Sequence, residues 1–129
     1  MSELTIMEVP ISEVLNFWQM LKKVPLVLAT HERIMGCCLK GECSMLAFVE
    51  DNTSVGFLIY SRQEPAVFFI EALFLPKNVN NFMPLALDFI RSRGFKLVRA
   101  LSNHNPEIMK NVLSGATQLR TSYFYDGDI

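Results

Sequence analysis

Three apolar runs in close succession constrain the fold of this chain more than any other feature. Ser44-Met-Leu-Ala-Phe-Val-Glu50 is followed by the turn-forming cluster Asp51-Asn52-Thr53 and then by Val55-Gly-Phe-Leu-Ile-Tyr-Ser61. Two such runs around a short polar link predict an antiparallel hairpin. Arg62-Gln-Glu-Pro65 makes a second turn, and Ala66 to Leu75 gives a third long strand, so the middle of the chain is a three-stranded meander. Mixed elements flank it. Glu3 to Val9 alternates polar and apolar residues, the period of a half-buried strand, and Pro10 stops it. Ser12 is a plausible N-cap for an amphipathic helix through Val14, Leu15, Trp18 and Leu21, with Lys22 and Lys23 suited to the negative end of its dipole. Thr30 heads a second, weaker helix through Ile34, Met35 and Leu39, broken by Gly36 and finished by Gly41.

After the meander, Pro76 to Asn81 reads as a loop, and Phe82 to Arg93 as a helix with Phe82, Leu85, Ala86, Phe89 and Ile90 on one side. Gly94 ends it, and Phe95 to Leu101 is a strand reached by a helical crossover, which makes it parallel to the third meander strand. A short helix from Asn105 or Pro106 to Leu113 and a last strand from Gln118 to Tyr125 complete the order β-α-α-β-β-β-α-β-α-β. The result is a single α/β (α+β) domain over residues 1–129.

Composition limits what such a domain does. The net charge is −1, so the excess of clustered Lys and Arg that phosphate neutralisation demands is missing, and nucleic acid is not an expected partner. A mean hydropathy of +0.25 suggests apolar surface covered by a partner or a second copy, or simply a dense core. The most apolar stretch, Pro65 to Pro76, is about half the roughly 20 residues a bilayer core requires and carries Glu71 at its centre, so no membrane span is expected. The N-terminus lacks the basic and apolar regions of a signal peptide. Adjacent Cys37 and Cys38 cannot bridge each other without severe strain. With Cys43 they read as reduced thiols of a cytoplasmic protein, with no zinc spacing and no metal expected.

Few residues stand out as chemistry. Glu71 interrupts an apolar strand, where a carboxylate is costly unless it is paired or functional. The plain alternative is an acidic residue salt-bridged or wet on an open sheet face. His31 and His104 sit near helix starts with no nucleophile or metal partner at a useful spacing, which favours surface or capping roles. Cys37 and Cys38 suit buried packing, since a reactive thiol needs a cationic neighbour and only Arg33 is near. Tyr123 and Tyr125 share one face of the last strand and suit aromatic packing.

The element order, together with several local words, resembles the GNAT superfamily of acyl-CoA-dependent N-acetyltransferases over nearly the whole chain. Phe69-Ile-Glu-Ala-Leu-Phe-Leu-Pro76 looks like that family's fourth strand. Phe82 to Phe95 looks like the helix after its cofactor loop, and Asn105-Pro-Glu-Ile-Met-Lys-Asn-Val-Leu-Ser-Gly-Ala116 like its Asn-headed helix. The resemblance implies a mixed, mostly antiparallel sheet of about six strands with helices on both faces. It also implies a gap between the fourth and fifth strands, and acyl transfer from acetyl-CoA or another acyl-CoA to a small-molecule or protein amine. In that scheme Glu71 is the base, and backbone groups of Leu73, Phe74 and Leu75 hold the pantetheine arm. Val79, Asn80, Asn81, Phe82 and Met83 form the phosphate site, and Asn105 touches the cofactor.

Two departures from the family pattern are plain in the residues. The phosphate loop of the family is glycine-rich, because a Cβ blocks close approach of the chain to phosphate, yet Lys77-Asn-Val-Asn-Asn-Phe-Met-Pro84 has no glycine and Pro84 lacks an N–H. The Tyr that reprotonates the CoA thiolate in many members is absent from its usual helix, where Asn111 and Val112 stand, leaving Tyr123 or Tyr125 on the last strand as a substitute. Two expectations follow: an N-acyltransferase with an altered phosphate site, or a catalytically inactive GNAT-like module that binds a protein, similar to small proteins of tailed phages.

Overall fold

The computed structural model describes residues 3–26, 29–74, 79–101, 117–118 and 124–128. Strand β1 (Leu4–Glu8) leads into a 3-10 helix (Ile11–Phe17), one turn of α-helix, α1 (Trp18–Leu21), and helix α2 (His31–Leu39). The meander is β2 (Ser44–Glu50), β3 (Thr53–Glu64) and β4 (Val67–Phe74). Helix α3 (Val79–Ser92) crosses to β5 (Leu97–Leu101), and β6 (Thr117–Gln118) and β7 (Phe124–Asp128) complete the sheet. Among the described residues seven strands lie in the order β1-β2-β3-β4-β5-β7-β6. Of the described strand pairs only β4–β5 is parallel, as the α3 crossover demands.

The hairpin between β2 and β3 turns on two residues, Asp51 and Asn52, both with positive φ, and Glu50 faces Thr53. Positive φ at both central positions gives the twist that matches right-handed strands, and Asp and Asn tolerate it at modest cost. The meander strands are apolar at successive positions because both sheet faces are covered. Phe48, Leu58, Phe68, Ile70 and Val98 pack with Phe82, Ala86 and Ile90 of α3. On the other face Met45, Phe57, Ile59 and Ala72 pack under Val14, Leu21, Ile34, Met35 and Cys38. Trp18 joins that second core at its margin, with Lys22 Nζ 5.9 Å from the centre of its ring.

Helix α2 forms as its caps dictate. Thr30 accepts a hydrogen bond from the Arg33 N–H at 3.1 Å, and His31 Nε2 lies 2.8 Å from the Val24 carbonyl, tying the helix start to the preceding turn. Gly36 does not break this helix, which runs through it to Leu39. At the far end Gly41 (φ +77°) closes a double-bonded cap: Gly41 N–H donates to Cys38 O, and Glu42 N–H to Cys37 O.

The structure corrects other expectations too, beginning with the turn over Arg62–Pro65: β3 runs through Glu64, and the turn is Pro65 and Ala66. Ser12 is not a helix cap. The segment enters from Pro10, whose carbonyl accepts the Glu13 N–H, as a 3-10 helix. With three residues per turn, Val14 and Phe17 line up toward the sheet while Leu15 turns outward and is 59% exposed. The stretch Pro76–Asn81 is not loop to its end, because α3 starts at Val79 and contains Pro84. The last strand is two strands, β6 and β7, paired antiparallel, and Asp126-Gly127-Asp128 lies in β7 against β5. Among the described residues the sheet accordingly has seven strands where about six were expected. The short helix expected at 105–113 lies outside the described residues.

The two α2 glycines predict opposite outcomes. Gly36→Ala adds a methyl with nothing within 4 Å and is expected to stabilise the protein by about 0.5–1 kcal/mol. Gly41→Ala meets only ordinary contact, Ile11 Cδ1 at 3.7 Å, but forces an L residue into the left-handed region and is expected to cost about 1–2 kcal/mol. Urea denaturation of both variants checks the signs.

Candidate functional site

The site is built by a misfit between two strands. Along β3 and β4, Tyr60 faces Ile70 and Ile59 faces Ala72, so Glu71 has no partner across the ladder. One extra residue in β4 is a β-bulge, and it changes which way the strand presents its side chains. Before the bulge Phe68 and Ile70 face α3; after it Leu73 faces α3, while Ala72 and Phe74 face α1 and α2. Glu71 and Ala72, though neighbours in sequence, therefore lie on the same face.

The other side of β4 parts from the sheet at the same place. The β4–β5 register runs Val67–Leu97, Phe68–Val98, Phe69–Arg99 and Ile70–Ala100, and among the described residues it stops there. β4 continues through Glu71, Ala72, Leu73 and Phe74 with β3 as its described partner. A strand segment paired along one edge presents main-chain donors and acceptors along the other.

Glu71 is half-buried in this setting, and Ser61 Oγ donates to its Oε1 at 2.7 Å. Ser61 sits beside the bulge because it pairs with Phe69. Two buried thiols from the α2–β2 region stand within electrostatic reach of the carboxylate. Burial, followed by Cys37 and Glu71, pushes the Cys38 thiol up to about 11. Burial and then Glu71 push Cys43 up to about 12, with smaller contributions from Cys38 and Cys37. These thiols hold their protons at neutral pH and serve as small apolar packing. A cavity of about 440 Å³ opens beside them, lined by Val14, Cys38, Gly41, Cys43, Ser44 and Met45; Glu71 is not among its described lining residues.

The sequence candidates separate on inspection. Leu73 and Phe74 lie on the stretch of β4 past its described pairing with β5, Leu73 against the α3 core and Phe74 stacked on Phe57 at 6.0 Å. Val79, Asn80 and Asn81 form the first turn of α3, whose leading N–H groups have no partner within the helix. Phe82 is fully buried against Phe48 at 5.3 Å, so only its main chain is open to a ligand, and Met83 packs at the core margin. Pro84 stands in the helix interior, beyond the first turn. What it removes is the donor for the Asn80 carbonyl, not one of the leading N–H groups. Leu75, His104, Asn105 and Tyr123 lie outside the described residues, and Tyr125 lies in β7 opposite Ala100. Sequence reasoning did not find Ser61 or the thiol wall. The one signal for them was a Ser and a Cys at the ends of apolar runs. Among the described residues no group of three or more His, Cys, Asp or Glu is placed to hold a metal, and no helix is long and apolar enough to cross a membrane.

Both buried thiols keep their protons in the folded chain to about pH 11 and 12, whereas unfolded thiols ionise near 9. The unfolded chain loses protons first, so stability is expected to be flat with respect to these groups below pH 9 and to fall as pH rises above it. Denaturation between pH 8 and 10 should show a steeper fall for the native chain than for a Cys38→Ala/Cys43→Ala variant.

No protein-family model matches the sequence, and no curated protein sequence matches it. Solved structures do match the fold. A GNAT family N-acetyltransferase (YhbS) from Escherichia coli in complex with CoA superposes with a TM-score of 0.70 at 12% identity, over 98% of this chain and 81% of that one. The PaiA N-acetyltransferase of Thermoplasma acidophilum in complex with coenzyme A gives 0.67 at 10% identity, over 98% and 99% of the two chains. An IAA acetyltransferase from Bacillus cereus gives 0.66 at 6% identity, over 98% and 100%. The fold is the GNAT-like α+β fold.

Proposed function

We propose that this protein is an N-acyltransferase of the GNAT superfamily, moving an acyl group from an acyl-CoA to an amine. The observation that carries the reading is the coincidence of two features at one residue. The bulge turns Glu71 onto the α1/α2 face one residue beyond the last described β4–β5 pair, Ile70–Ala100. A general base therefore stands beside a strand edge whose main-chain groups are open to a ligand. Solved proteins of the same fold hold coenzyme A, which supports the choice of ligand.

The residues present fit such a ligand. The open edge at Leu73 and Phe74, continuing to Leu75, would bond the pantetheine amides. The leading N–H groups of α3 at Val79, Asn80 and Asn81, with Phe82 and Met83 behind them, would meet the phosphates, where the helix dipole favours negative charge. Without glycine the approach is less close, and the site is an altered one. Bound acyl-CoA supplies an activated thioester. The chain itself supplies orientation and proton transfer: Glu71 takes a proton from the attacking amine, and Ser61 fixes the carboxylate by its 2.7 Å hydrogen bond. Asn105 is assigned to cofactor contact and Tyr123 to reprotonation of the thiolate, both by resemblance to the family.

A second reading, a catalytically inactive module of the same fold that binds a protein, is favoured by the glycine-free start of α3 and by exposed Met7 (54%), Ile11 (54%) and Leu15 (59%). Its likeness to tailed-phage proteins belongs to this reading.

Thermal denaturation with CoA separates the two. At a ligand concentration about 100-fold above Kd, the enzyme reading expects about 2.7 kcal/mol of stabilisation, which is several degrees in Tm. Glu71→Gln should keep that shift while lowering turnover about 10²- to 10⁴-fold, and Ser61→Ala should lower it less. No shift with millimolar CoA or acetyl-CoA would overturn the reading.

A further inference from the structure

The turn between α2 and β2 brings two cysteines together that the catalytic reading leaves unused. Cys37 lies in the last turn of α2, and Cys43 immediately precedes β2. The carbonyl of Cys37 accepts hydrogen bonds from both the Glu42 N–H (2.9 Å) and the Cys43 N–H (3.2 Å). A direct N–H···O bond keeps two Cα atoms within roughly 6–7 Å, inside the range a disulfide spans. Both side chains belong to the same packed cluster beneath α2, and Cys37 is close enough to act on the Cys43 thiol. Exposure differs between them: Cys37 is half-exposed, whereas Cys43 is 8% and Cys38 2% exposed.

We propose that Cys37 and Cys43 form an intramolecular disulfide across the α2–β2 turn when the protein meets a low-molecular-weight disulfide of the glutathione type. In the first step the Cys37 thiolate attacks one sulfur of the small disulfide. The S–S bond breaks, one glutathione thiolate leaves, and Cys37 is held as a mixed disulfide. In the second step the Cys43 sulfur, losing its proton to water, attacks the Cys37 sulfur and expels the second glutathione. Two protein thiols are oxidised by two electrons, and one glutathione disulfide is reduced to two thiols. Cys43 holds its proton tightly, so closure follows the mixed disulfide with a delay. Cys38, the more deeply buried thiol, stays reduced. The bond would lock the helix cap at Gly41 and replace the thiol that stands beside Glu71, which makes the wall of the site sensitive to redox state.

The test uses the reduced full-length chain incubated with oxidised glutathione, followed by alkylation of free thiols and tryptic mapping. Cleavage after Lys40 separates Cys37 and Cys38 from Cys43. The expected product is a cross-linked peptide pair from monomeric protein, with Cys38 as the one alkylated cysteine and a glutathione adduct on Cys37 at early times. Cys43→Ala should stop at that adduct, and Cys38→Ala should still close. Mapping of the native chain identifies the pair even where a variant does not fold. Three alkylated thiols, a Cys38–Cys43 link, a terminal adduct in the native chain, or linked dimers would each overturn the proposal. The readout is independent of CoA binding and of turnover, so it stands or falls separately from the acyltransferase reading.

Discussion

One surplus residue in β4 organises the functional end of this molecule. A strand in a regular ladder sends successive side chains to opposite faces, and Glu71 in such a ladder would simply alternate with Ile70 and Ala72. Because Ile59 pairs with Ala72 and Tyr60 with Ile70, the ladder gains a residue and the strand bends. The bend sets a carboxylate beside Ala72 on the α1/α2 face and coincides with the end of pairing to β5. Remove the extra residue and the alternation after it reverses: Leu73 would exchange faces with Ala72 and Phe74, and both cores would lose their fit.

The two cores explain why such a bend is tolerated. Each sheet face is sealed by its own layer, α3 over Phe48, Phe68 and Val98, and α1 with α2 over Met45, Phe57 and Ile59. Aromatic contacts are dense on the α3 side, where Tyr60 stacks on Phe68 at 4.3 Å and Phe95 meets Phe68 edge-on at 5.1 Å. Arg62 lies over Phe95 at 4.0 Å, and Arg93 pairs with Glu8 at 2.6 Å, which ties the end of α3 to the edge strand. The strands before the bulge are thus clamped on both faces, and the register shift at Glu71 falls where the described pairing with β5 ends.

Local chemistry in the sequence was enough for much of this. Asp51 and Asn52 marked the hairpin, Thr30 and Gly41 bounded α2, and the crossover through α3 forced β5 parallel to β4. What stayed hidden depends on register and on helix type. The pairing offset that makes Glu71 a bulge is set by β3, and nothing in the residues around Glu71 encodes it. Ser61 and Cys43 reach the carboxylate only through that pairing and through the cap at Gly41. Ser12 resembles a cap only if the hydrophobic spacing has a period of 3.6, whereas Val14 and Phe17 follow a period of three. Pro84 reads as a first-turn residue of a helix starting at Phe82, whereas the helix starts at Val79, so Pro84 leaves a single carbonyl, that of Asn80, without its helical partner.

Trp18 is the one tryptophan in the sequence, and it sits at the margin of the core under α1 and α2. The aromatic side chains packed beneath α3 are phenylalanines and a tyrosine. Indole emission therefore watches one layer of a two-layered molecule. Events on the Glu71 side change its colour and intensity, while loosening beneath α3 leaves its emission unchanged, so optical unfolding curves and backbone-sensitive ones coincide only when both layers come apart together.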